Sequence, residues 1–176
     1  MKISIVPAFV ATASIVLLGS LTVLAQAPFG GDADREFGDQ LWNALEERAL
    51  VGDDALMARP YEGTEPHGSI LVTLDGDVEV GGESGTVIVK RNYGGQDASI
   101  DTVSDSPGDY LMAVTVMFQR QGFDPQNNDW FWAKYFPDGS YDTAPNGTAL
   151  VGRAAGCISC HSEAAGDDMV YLNNRY

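Results

Sequence analysis

The chain predicts an α+β fold, mainly β: an antiparallel sheet of about four to five strands, an N-terminal helix packed on it, and a distinct C-terminal segment. Three observations predict it. Apolar residues recur at helical spacing only near the start, where Phe37, Leu41 and Leu45 share a face with Trp42 beside them. From Pro66 onward the pattern changes to β-branched and aromatic runs separated by turn clusters. Both cysteines are confined to positions 157 and 160, close to the C-terminus.

Taken in order, Lys2 followed by the apolar run Ile3 to Leu24 and a small-residue exit, Val23-Leu24-Ala25 or Ala25-Gln26-Ala27, reads as an export signal; Pro28 after Ala27 disfavours the second cut, which sets the signal at 1–25. The same run is long enough to serve as an uncleaved anchor. Residues 26–33 form a flexible lead-in and 34–176 one domain; the roughly 150 residues that remain after removal of 1–25 are enough for a single core. Its helix is expected over Asp34 to Arg48, with Asp34 as N-cap, and Arg59-Pro60 ends any continuation. Strands are expected at Gly68 to Leu74, Thr86 to Tyr93, Tyr110 to Gln119 and Asp129 to Phe136. The turns between and around them fall at Asp75-Gly76-Asp77, Gly81-Gly82, Ser106-Pro107-Gly108 and Pro137-Asp138-Gly139. The third run is apolar on both faces, with Tyr110, Met112, Val114, Val116 and Phe118 on one and Leu111, Ala113, Thr115 and Met117 on the other. Such a strand is central and covered from two sides.

The C-terminal segment carries Cys157-Ile158-Ser159-Cys160-His161. Two thiols three residues apart followed at once by an imidazole is the attachment pattern of one covalent c-type haem: Cys157 and Cys160 form thioethers and His161 ligates the iron. A thioredoxin-like dithiol does not require the histidine. A zinc site would have to recruit His67 and every cysteine and histidine of the chain, including the adjacent Cys160 and His161. A plain disulfide leaves His161 unexplained. Covalent haem is attached outside the cytoplasmic membrane, in agreement with the export signal and a periplasmic location. The formal charge of −15 disfavours nucleic acid and anionic lipid as partners. It keeps an exported protein soluble, and an acidic face suits docking of a basic redox partner.

Several blocks together resemble the cytochrome P-460 family: Pro66-His67-Gly68, Gly85-Thr86-Val87-Ile88-Val89-Lys90, Val116-Met117, Gly122-Phe123-Asp124-Pro125, Asp129-Trp130-Phe131-Trp132-Ala133, Pro137-Asp138-Gly139 and the haem motif. The resemblance implies a mainly β, often homodimeric fold shared by hydroxylamine-oxidising cytochromes and nitric-oxide-binding cytochromes c prime beta. It implies His161 as proximal ligand and an open or apolar-capped far side of the iron. Hydroxylamine oxidisers also bond a lysine to the porphyrin. Past Lys2 this chain has only Lys90 and Lys134, and Lys90, sharing a strand face with Ile88, is the candidate. They use a pocket carboxylate as well, and Leu111 to Phe118 contains none. Phe118 and Trp132, with Trp130 and Phe131, are candidates for an apolar pocket. Function depends on the sixth ligand position, for which His67, Met57, Met112, Met117 and Met169 are available. An open position suits a binder or oxidiser of nitric oxide or hydroxylamine; a filled one suits a six-coordinate electron carrier.

Overall fold

In the computed structural model, residues 1 and 28–171 are described. The expected signal over 1–25 lies outside the described residues, apart from Met1. Helix α1 spans Asp32–Glu47 and buries Phe37, Leu41, Trp42 and Leu45. It begins two residues earlier than its apolar spacing suggests. Gly31 takes the N-cap position, and the Asp34 carboxylate accepts the Gly30 N–H at 3.0 Å from within the first turn. Acidic Asp32 and Asp34 there match the positive end of the helix dipole.

Six strands, β1 (Tyr61–Glu62), β2 (Ile70–Val80), β3 (Glu83–Tyr93), β4 (Leu111–Gln119), β5 (Trp130–Tyr135) and β6 (Val151–Gly152), pair in sequence order, every neighbour antiparallel. The two additional members, β1 and β6, are two-residue edges too short to leave a periodic signal. Asp75-Gly76-Asp77 is not a turn. It continues β2, with Gly76 opposite Val87 and Asp77 accepting from the Thr86 hydroxyl at 2.9 Å. The chain reverses at Gly81-Gly82, where φ is +59° and +83°. Two consecutive positive φ values match the twist of a two-residue hairpin, and glycine adopts them without steric cost.

Between β3 and β4 lie α2 (Ile100–Asp105), capped by reciprocal Ser99 and Thr102 hydrogen bonds, and the single turn α3 (Pro107–Tyr110). Tyr110 therefore belongs to α3, and β4 starts at Leu111. Helix α4 (Ala155–His161) holds the cysteine motif. None of the helices among the described residues is long and apolar enough to cross a membrane.

The register sorts the sheet into two faces. Rows Val87–Phe118–Phe131 and Val89–Val116–Ala133 pack on α1. Phe37 meets Phe131 at 4.8 Å and Phe118 at 5.7 Å between ring centroids, while the Arg120 guanidinium caps the Phe37 ring at 3.8 Å. Leu41 and Leu45 are fully buried, each contributing about 2 kcal/mol of apolar transfer. The opposite face carries rows Ile88–Met117–Trp132 and Lys90–Thr115–Lys134, and α4 lies over it. As its two apolar faces require, β4 is central and covered from both sides.

Candidate functional site

The seven residues of α4 set Cys157, Cys160 and His161 on consecutive turns of one short helix. Both thiols are free; Cys157 is half-buried and Cys160 exposed. Burial pushes the Cys157 thiol up to about 11, an effect that nearby Lys134 partly opposes. His161 is buried, and its Nδ1 lies 2.8 Å from the Met169 carbonyl oxygen. A carbonyl only accepts, so Nδ1 must carry the proton, and Nε2 keeps its lone pair for a metal. Burial holds the imidazole below its ordinary pKa, against the Met169 hydrogen bond, and adjacent Lys90 lowers it further.

That carbonyl is aimed by the chain beyond the helix. Met169 adopts φ +62°, and the residues before it are tied to the start of β5. The Trp130 indole N–H donates to the Asp168 carbonyl at 2.8 Å, and the Asn128 amide donates to the Asp167 carbonyl. The Tyr171 hydroxyl closes the segment by donating to the Cys160 carbonyl at 2.8 Å. The 162–171 segment is thus a strap that fixes the orientation of the His161 ring. Neither a backbone carbonyl nor a loop tied by main-chain acceptors has a residue-type signature, so sequence reasoning could not single out this strap.

Around His161 stand Trp132, with ring centroids 4.7 Å apart, Tyr171 at 5.4 Å, and His67 at 6.1 Å with the two imidazoles nearly perpendicular. Met117, Trp130, Trp132, Ala154 and Met169 build an apolar cluster here, with Cys157 and Ile158 packed against it. Lys90 is buried on the same face, in the row with Thr115. His67 comes from the loop before β2, its Nδ1 3.4 Å from the Thr115 hydroxyl. Burial first, then Lys90, His161 and Lys134, lower its pKa to about 4, so it is neutral at pH 7.

Two expected pocket residues are elsewhere. Phe118 and Phe131 belong to the α1 side, because the pleat turns them away from their neighbours Met117 and Trp132. Met57 and Met112 are exposed. Met169 contributes its carbonyl on the His161 side. Thr115 and Tyr171 join the site without having been singled out from the sequence.

The residues present fit a haem. Two free thiols and an imidazole of the required tautomer share one helix against an apolar wall. On that wall Trp132 Nε1 is buried without a hydrogen-bond acceptor among the described residues, a donor that an acceptor on a bound group would satisfy. The described residues contain no group of three or more His, Cys, Asp or Glu side chains arranged to hold a bare metal ion. A family model described as cytochrome P460 matches residues 76–172, more than half of the chain and inclusive of α4. Neither curated proteins nor solved structures offer a match.

Proposed function

The chain belongs to the cytochrome P460 family, which implies a haem cofactor, and from that premise we propose an exported monohaem c-type cytochrome whose iron takes up nitric oxide or hydroxylamine. The observation that carries this reading is the buried His161, its Nδ1–H committed to the Met169 carbonyl, on the same helix as two free thiols. Cys157 and Cys160 would each add a thiol across a porphyrin vinyl group, and His161 Nε2 would hold the iron. When bound, haem supplies a redox-active iron able to ligate small nitrogenous molecules.

The protein's own groups do the rest. The Met169 carbonyl fixes the plane of His161 and strengthens its donor nitrogen. Met117, Trp130 and Trp132 keep water from that side of the sheet, which favours uncharged diatomic ligands. Trp132 Nε1 offers a buried hydrogen-bond donor. Lys90 is the residue to test for a bond to the porphyrin, being buried on this face.

Hydroxylamine oxidation further requires a base to take the substrate's protons. On this face β4 contributes Ala113, Thr115 and Met117, none of them acidic; Asp75, two strands away in the Met117 row, is exposed, and the Asp142 carboxylate is engaged by Lys134 at 2.7 Å. This distribution supports ligand binding over turnover. The apolar run Ile3 to Leu24 after Lys2, read as an export signal, supports a periplasmic location, and the formal charge of −15 supports a basic redox partner rather than nucleic acid. A homodimer is expected from the family alone.

The test is expression of the full chain in a host competent in cytochrome maturation. The purified protein should carry the mass of one haem, and equilibration of the reduced form with nitric oxide should shift its absorption spectrum. A colourless product with the mass of the bare chain would overturn the haem reading. A haem-loaded product indifferent to nitric oxide and hydroxylamine at equilibrium would overturn the ligand reading alone.

A further inference from the structure

We infer that His67 is the second axial ligand of the iron, opposite His161, and that an external ligand enters by displacing it. The inference rests on the haem reading above. It also reaches beyond the matched span of residues 76–172, which does not include His67.

The spacing of the two rings is the first ground. Their centroids are 6.1 Å apart and their planes cross at 86°. Two imidazoles that share one metal, each bonded at about 2 Å, place their ring centres roughly 6 Å apart. A histidine that only hydrogen-bonds an iron-held ligand stands farther off, because the ligand's atoms intervene.

The roles of the ring nitrogens are the second. His161 spends Nδ1 on Met169. His67 turns Nδ1 toward the Thr115 hydroxyl, which sits at the middle of the sheet between Lys90 and Lys134. In each ring Nε2 is the nitrogen left for a metal, and in each a fixed oxygen orients the ring from behind.

The rigidity of the loop is the third. Gly63 N–H donates to the Ser69 carbonyl at 2.7 Å and His67 N–H donates to the Thr64 carbonyl at 3.1 Å. A Cβ on Gly63 would stand 2.3 Å from the Gly68 carbonyl, and one on Gly68 would stand 2.7 Å from that of Tyr93. Gly68 also has φ +115°, a conformation that only glycine adopts readily. The loop is therefore closed on itself and against β3, and His67 is held in place rather than reaching in from a mobile segment.

Two of the other side chains available are poorer placed. Met57 and Met112 are exposed, whereas Met169, whose carbonyl meets His161, buries its side chain in the apolar cluster. Met117, Met169 and Lys90 are buried at the site and are the competitors to be excluded.

The consequence is an iron that rests closed. Ligand binding then requires prior dissociation of His67, so the observed rate levels off as ligand concentration rises, and only ligands stronger than imidazole hold the site. The same pair also gives a six-coordinate centre suited to electron transfer while no such ligand is present.

The experiment uses the haem-loaded full chain, the His67→Ala and His67→Phe variants, electron paramagnetic resonance, and the near-infrared charge-transfer band, which separates bis-imidazole from imidazole–thioether and imidazole–amine pairs. Wild type should be low-spin with a bis-imidazole signature. Both variants should be high-spin, and added imidazole should return His67→Ala to low spin. If the closed form outnumbers the open one about tenfold, the nitric oxide association rate should rise roughly tenfold in His67→Ala and lose its plateau. A high-spin wild type, or a low-spin state kept by both variants, would overturn the assignment while leaving the haem reading intact. The wild-type spectra decide the matter even if neither variant loads haem. A haem-free wild type overturns the haem reading and this assignment with it.

Discussion

Replacing Trp130 by Phe tests whether the strap behind His161 is held from β5. The substitution keeps a ring in the apolar cluster but removes the donor that meets the Asp168 carbonyl at 2.8 Å. Because Asp168 is exposed, water can take over its carbonyl, which limits the loss to about 1 kcal/mol. Trp130 is 4 % exposed, and shrinking an indole to a phenyl leaves a small void that costs about 1 kcal/mol more. Together, about 2 kcal/mol corresponds to a fall in thermal midpoint of roughly 7 °C for a domain of this size. The strap carries the carbonyl that polarises His161. Its loosening should therefore also raise the reduction potential of the haem-loaded protein, since a less polarised imidazole stabilises ferric iron less. Thermal denaturation and potentiometric titration of the same sample check the two effects. An unchanged midpoint would refute the structural step. A lowered midpoint with an unchanged potential would refute the link from strap to imidazole.

Leu41→Ala, at a fully buried position between α1 and the sheet, should cost 2–5 kcal/mol in chemical denaturation, read as a lower midpoint with unchanged slope. Removing either thiol, Cys157→Ala or Cys160→Ala, should leave a haem held by one thioether; mass spectrometry after acid–organic extraction should find it still bound, whereas the double variant should release it. Glu83 accepts two hydrogen bonds from the Arg120 guanidinium, at 2.8 and 2.9 Å, and these hold its carboxyl below the ordinary 4.5 despite a small opposing effect of burial. A depressed folded pKa means that this stabilisation is complete above pH 4.5 and fades as pH falls through the lower folded value. Glu83→Gln should accordingly narrow its stability gap to wild type on acidification, and a gap that widens would contradict the ion pair's role.

Local chemistry made much of the molecule legible in the chain itself. The covalent spacing of Cys157, Cys160 and His161 is a property of five consecutive residues, and helix α1 shows itself through apolar side chains one turn apart. The two-faced β4 announced a central strand for the same reason, since alternation along a strand is a local period. Alternation says that Phe118 and Met117 point oppositely, but not which of them meets α1; pairing with β3 and β5 decided that Met117 lies with Trp132 and Phe118 with Phe37. Asp75-Gly76-Asp77 looked like a turn because its residues favour one. The longer ladder between β2 and β3 carried the strand through it and left reversal to Gly81-Gly82.

The site itself was only half written in the residue order. Its cysteines and His161 are neighbours in the chain, whereas the Met169 carbonyl reaches His161 only after the strap turns back, and Trp132 and Thr115 arrive on separate strands. His67 precedes His161 by nearly the whole length of the sheet, yet their rings end 6.1 Å apart. Sequence alone determined where the thiols and imidazoles stand in the chain, because bond-forming chemistry resides in individual side chains. Tertiary structure decided which of them face one another, because that depends on strand register and loop closure, and those minimise free energy over the entire chain rather than within any short window of it.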